Sequence, residues 1–209
     1  MLITARCFFF YKVDGITIVL EYDGGHLVSA STRGNGSEGK NILPSIEGIN
    51  GIALDIAYNH KLTVIGEGFI NINNYEKNRK FFLDTNGNEY IDARNFASNV
   101  IQTNNSILNQ KYSINFLAFT SYTEANVFET KEDQMDQLRD LGFAVCEYEP
   151  MKADFSKESI SAYIKKLKNK ADNMSIPVDG IVIAFNNVEF SKSLGRTSHH
   201  YNDSLAYKF

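Results

Sequence analysis

The chain has 209 residues, of which 43% are hydrophobic, with 21 Lys and Arg against 25 Asp and Glu. That length supports one compact domain with a real core. The absence of a biased or low-complexity run excludes a disordered tail, and a formal net charge of −4 excludes a free-standing module that draws in nucleic acid by its overall field.

Met1 to Phe10 holds an apolar stretch too short to span a membrane, and it reads as a first strand. Phe8 to Tyr11 is aromatic, then Lys12-Val13-Asp14-Gly15 interrupts it. Ile16 to Tyr22 comes next, rich in β-branched residues, with a hairpin signal at Asp23-Gly24-Gly25 and a returning strand over Leu27 to Thr32. The order predicts an antiparallel meander with Lys12 near its start. Arg33 to Asn41 is a Gly/Ser/Asn loop leading to a short helix near Ile42 to Ile49. Lys61 to Ile70 reads as a strand enclosing Gly66-Glu67-Gly68, and Asn73 is a candidate helix cap for a segment ending near Phe82.

Asp84 to Asn88 is a turn, Ala93 to Thr103 a helix and Tyr112 to Ser121 a strand. Lys131 to Leu141 is helical and stops at Gly142, and Phe143 to Tyr148 reads as a strand. Ser156 opens a long helix with Glu158 near its start and lysines toward its end, as the helix dipole favours. Val178 to Phe185 and Ser204 to Phe209 are the last strands. The mixture predicts an α+β fold with a largely antiparallel sheet. Lys165, Lys166, Lys168 and Lys170 read as a solvated helix face in preference to a phosphate track. Cys7 and Cys146 form no pairing or metal framework, which fits a reduced, cytoplasmic setting.

Lys12-Val13-Asp14-Gly15 is weak alone. It gains force from the motifs downstream of it, which come in the order Thr32-Arg33-Gly34-Asn35-Gly36, Gly66-Glu67-Gly68, Ala93-Arg94-Asn95, Phe116 to Phe119, Val178-Asp179-Gly180-Ile181-Val182-Ile183, Leu194 to Ser198, and Leu205 to Phe209. With these motifs the chain resembles the NAD-dependent DNA ligase adenylation domain from about Phe8 to Phe209. The resemblance implies a nucleotidyltransferase (ATP-grasp-like) domain of antiparallel sheets flanked by helices, running as one domain over residues 1–209.

Adenylyl transfer needs a nucleophile at the α-phosphorus. A lysine amine serves once deprotonated. Free lysine titrates near ~10.4, and burial or neighbouring cations lower that value. The resemblance makes Lys12 the nucleophile, Lys208 a neighbouring cation and Asp14 part of the catalytic motif. It implies that Arg33 and Glu67 hold the ribose hydroxyls, that Phe119 stacks on adenine and that Arg94 approaches phosphate. Tyr11, Gly15 and Ile183 are further implied contacts of the nucleotide. NAD as the donor of AMP, magnesium to offset phosphate charge and nicked DNA as the acceptor are implied by the same likeness. No membrane partner is expected.

The chain departs from the family pattern at several points. Ala184 stands where the family has a phosphate-contacting lysine, Phe10 where it has an adenine-recognising glutamate, and Gln102 and about Ala171 where it has arginines. Asn35 replaces an aspartate, and Gly39-Lys40-Asn41 replaces Gly-Glu-Asp. The missing lysine would cost on the order of 3 kcal/mol of transition-state stabilisation. Only eleven residues precede Lys12, so the family's segment for the nicotinamide mononucleotide half is expected to come from elsewhere, with the OB, zinc, helix-hairpin-helix and BRCT parts. Three explanations stay open: one subunit of a split ligase with a second polypeptide as partner, an excised part of a longer ligase, or a ligase-like protein that binds nucleotide without sealing nicks.

Asp84 to Glu89 is rejected as a calcium loop, because Glu89 occupies the glycine position and Asn95 the final acidic one. His199-His200 has no supporting ligand cluster. Two hypotheses stand: an adenylyltransferase working through Lys12, and a non-catalytic module that binds a nucleotide or partner in the same pocket.

Overall fold

The run Cys7–Val13, CFFFYKV, is aromatic and β-branched, and every residue but Lys12 is buried. A strand apolar on both faces belongs in the middle of a covered sheet. It does so here in the computed structural model, which describes residues 7–33, 39–124, 128–151, 156–195 and 204–209. Strand β1 (Cys7–Val13) is followed by β2 (Ile16–Asp23), β3 (His26–Thr32), a 3-10 turn (Leu43–Gly48), β4 (Leu62–Ile70), α1 (Ile72–Asn78), α2 (Ala93–Gln102), α3 (Ser106–Lys111), β5 (Ile114–Tyr122), α4 (Lys131–Asp140), β6 (Tyr148–Met151), α5 (Lys157–Asn173), β7 (Val178–Phe185), α6 (Val188–Ser193) and β8 (Ser204–Lys208). Gly34 to Gly36, Arg196 to Ser198, His199 and His200 lie outside the described residues.

Two four-stranded sheets result, ordered β6-β1-β7-β8 and β3-β2-β4-β5, with every ladder antiparallel. The expected meander is corrected in one respect: β1 does not continue into β2 as its partner. Asp14 and Gly15 carry the chain from the first sheet to the second. A Cβ added at Gly15 would lie 2.2 Å from the Gly68 carbonyl oxygen, so the crossing requires glycine.

Helix α5 covers one face of the first sheet, with Tyr163 stacked on Phe9, and α2 covers one face of the second, with Ile101 close to Gly68. The other faces look toward each other. Helix α4 closes one end of the space between them: Gln134 bonds Thr120 and Ser121 at the end of β5, and Lys131 N donates to Asn186 O just beyond β7. Lys12 stands at the opposite end.

Other expectations shift for local reasons. The cap of α1 is Asn71 and the helix ends at Asn78, short of Phe82. Within Phe143 to Tyr148 only Val145 bridges Ala118; the ladder begins at Tyr148. That segment leaves the second sheet and enters the first. Helices α3 and α6 have six residues each, too few for a periodic signal. The lysines of α5 are tied to protein carboxylates: Lys166 to Glu149, Lys170 to Glu147 and Lys168 to Asp172. No helix among the described residues is long and apolar enough to cross a membrane.

Gly180 is where β8 comes closest to β7. A Cβ there would sit 2.1 Å from the Tyr207 carbonyl oxygen, which is backbone and cannot swing away. Gly180→Ala is expected to destabilise the fold by about 1–3 kcal/mol, read as a lowered urea midpoint.

Candidate functional site

Alternation along β1 sorts the site. Phe8, Phe10 and Lys12 face the space between the sheets, whereas Phe9 and Tyr11 face α5. Lys12 pairs with Gly180 of β7, and Gly180 with Lys208 of β8, so both lysines stand on one row of one face. Asp179 joins them at the register shift between Lys12 and Val13: Lys12 Nζ donates to its Oδ1 at 2.7 Å, and Lys208 Nζ lies 3.4 Å from its Oδ2. Burial pushes the Asp179 carboxyl up, but the hydrogen bonds and charges of Lys12 and Lys208 outweigh it and hold the group below the usual carboxylate range.

Across the gap, β2, β4 and β5 present a second row. Thr17 pairs with Glu67 and Glu67 with Leu117. The Glu67 carboxylate accepts from Thr17 Oγ1 at 3.1 Å. Burial dominates its chemistry and raises its pKa to about 7, against the lowering effects of the Thr17 hydrogen bond and the charges of Arg94 and Lys12. Those charges and Asp14 act on Glu67 because the two rows lie close together. Arg94, in the first turn of α2, reaches Asp14 at 3.4 Å. Asp14 is raised by burial and by Asp179 and Asp92, with Arg94 and Lys12 opposing.

The structure thus brings together Lys12, Asp14, Gly15, Glu67, Arg94 and Lys208. Arg33 donates its backbone N–H to Thr17 O at 2.8 Å, and its side chain is exposed beside Glu67's partner strand. Phe119 lies on the same face of β5 as Leu117 and is half-buried, at the bulge opposite Ile65 and Gly66.

Two placements differ from expectation. Tyr11 is buried on the α5 side, and its hydroxyl has no hydrogen-bond partner there among the described residues. Ile183 pairs with Phe9, which stacks on Tyr163 of α5, so Ile183 also faces away from Lys12. The inward position of β7 is Val182, the partner of Phe10. Period-two alternation counted from Lys12 carries that signal in the sequence. Asp179 and Thr17 are the residues that sequence reasoning left without a role.

The pH response of Glu67 has a definite sign. Folded, it keeps its proton to about pH 7; free glutamic acid loses it at 4.5. Between those values the folded state holds the extra proton, so stability falls as pH rises through the window and stays lower above it. Glu67→Gln is expected to gain about 3 kcal/mol over the parent at pH 8 relative to pH 4, by urea unfolding at both.

The chain matches the family described as NAD-dependent DNA ligase adenylation domain over residues 3–209. It is 32% identical over 201 residues to a DNA ligase of Lachnoclostridium phytofermentans, covering 95% of this chain and 30% of that protein. It is 31% identical over 201 residues to a DNA ligase of Borrelia hermsii, covering 95% of this chain and 29% of that protein. The chain therefore spans about 30% of the length of these curated relatives. In fold it is similar to the ligase domain of M. tuberculosis LigD, with a TM-score of 0.51 at 13% identity over 97% of this chain and 55% of that one. A mycobacterial DNA ligase D complexed with ATP and MES gives 0.50 at 13% identity, over 98% of this chain and 56% of that one. With the family match running over residues 3–209, the chain belongs to the NAD-dependent DNA ligase adenylation domain family.

Proposed function

We propose that this chain accepts AMP from NAD on Lys12 and passes it to the 5′-phosphate of nicked DNA. The observation that carries this reading is the half-buried Lys12 ammonium, fixed by Asp179 at 2.7 Å in line with Lys208 and facing Glu67. In the first step the Lys12 amine, after losing its proton, donates its lone pair to the α-phosphorus. An N–P bond forms, the bond to the bridging oxygen breaks, and nicotinamide mononucleotide leaves with that electron pair. Glu67 has acceptor capacity beyond Thr17 for ribose hydroxyls, Lys208 and Arg94 stand where phosphate charge is met, and Phe119 offers a ring to the base.

Magnesium would be carried in by the phosphates of the nucleotide and would offset their charge. Among the described residues no group of three or more His, Cys, Asp or Glu is gathered to hold a metal. Whole-ligase activity is proposed to draw on the parts that the longer relatives possess beyond the matched 30% of their length, whether on the same polypeptide or on a partner.

The test is intact mass after incubation with NAD labelled in its adenylate half, with magnesium, and with or without a relative's segment for the nicotinamide mononucleotide half. The expected result is one AMP per chain on Lys12, strongest with that segment present. No adduct in either arm, with AMP still bound, would sink the transfer reading.

A further inference from the structure

Past the rows that hold Lys12 and Glu67, the facing sheets present a different chemistry. The first sheet contributes Phe10 and its partner Val182. The second contributes Val19 and its partner Ile65, then Phe119 at the bulge, with Leu117 bordering them in the Glu67 row. All six are apolar. The hydroxyl beside them, on Thr120, the other partner of Ile65, is buried and donates to Gln134 Oε1 at 3.2 Å, and Ser31, the other partner of Val19, lies on the outer strand β3. Tyr148, the other partner of Phe10, has its hydroxyl hydrogen-bonded to Arg139 at 3.0 Å and turned toward Asp136 at 3.4 Å. Asn115 donates to Asn71 Oδ1 and to Ser113 O. The central stretch of β1 is committed to ladders on both sides from Cys7 to Phe10.

We infer that this site takes purine nucleotides without selecting the substituent at the 6-position, because among the described residues this apolar wall, beyond the ribose and phosphate groups, offers a base no side-chain hydrogen bond. The inference rests on the reading that Lys12 meets the phosphate and Glu67 the ribose. A base then lies on Phe10, Val182, Ile65 and Phe119. Stacking and apolar contact serve any π-face alike. A site that hydrogen-bonds a substituent rejects the analogue lacking it by ~10^4-fold, whereas an apolar wall discriminates far less.

Calorimetric titration of the full chain with AMP, IMP and 2′-deoxy-AMP tests this. The expected result is AMP and IMP dissociation constants within about tenfold of each other, with 2′-deoxy-AMP weaker than both. AMP tighter than IMP by more than about tenfold, with 2′-deoxy-AMP weakened, would overturn the inference and leave the pocket reading standing. Failure of all three to bind would overturn both. Equal binding of AMP and 2′-deoxy-AMP would remove Glu67 from the ribose and the inference with it. Phe119→Ala is expected to weaken AMP and IMP alike by about tenfold; weakening of AMP alone would count against the inference.

Discussion

Lys12→Ala is expected to abolish the AMP adduct, by more than about 10^4-fold in rate, because Lys208, the other amine described on that row, is more exposed and more loosely held. Lys208 is its neighbour across Gly180, yet its side chain is 69% exposed, against 28% for Lys12, and its ammonium sits 3.4 Å from the outer oxygen of Asp179. Exposure leaves it free to sample many rotamers, and the gain from a fixed nucleophile is largely one of orientation. Lys12→Arg should fail equally. It can keep the ion pair with Asp179 but offers no lone pair, since guanidinium stays protonated. The check is intact mass with labelled NAD, alongside a thermal midpoint showing that both variants remain folded. Label retained in Lys12→Ala would move the chemistry to another residue.

Asp179→Ala is expected to lower adduct formation by about 10^2–10^3-fold. The carboxylate holds Lys12 at 2.7 Å and Lys208 at 3.4 Å, so its removal frees both cations in one change. Two ammonium groups left facing each other repel, and Lys12 loses the only hydrogen bond that fixes its terminal nitrogen among the described contacts. Asp179→Asn separates position from charge. An amide oxygen can still accept from Lys12, so it should recover part of the rate while the alanine variant does not. Single-turnover mass measurements on the three proteins decide the matter. Alanine and asparagine variants as active as the parent would show that Lys12 is held by other means.

Much of the architecture was legible because it rests on short-range rules. The hairpin at Gly24 and Gly25, the Ser156 cap of α5 and the Gly142 stop after α4 come from turn and capping chemistry read locally. The motif order carried most of the candidate site, since Lys12, Asp14, Glu67, Arg94 and Lys208 do converge. The part that was not legible depends on pairing between distant strands. That β1 leaves β2 for β7 is decided about 165 residues later by Val178–Phe185, and no local pattern announces it. The faces of Tyr11 and Ile183 are set by that pairing. A motif read as a string gives every letter equal access to the ligand, whereas a strand gives it only to alternate ones. Ala184 shows the same point. It is buried opposite Phe8, so restoring a lysine there means threading its stem along Phe8 and Phe10 toward the recess.

The segment from Ala144 to Met151 has a mechanical consequence. Ala118 N donates to Ala144 O and Cys146 N to Ala118 O in one sheet, and a short way further on the same backbone is laddered to β1 in the other. The two sheets are therefore tied at their base by one short stretch of backbone, an isolated bridge at Val145 followed by strand β6. Any change of angle between the two walls has to be taken up inside this short stretch, between the Val145 bridge and the Tyr148 ladder, as well as at the Asp14-Gly15 crossing.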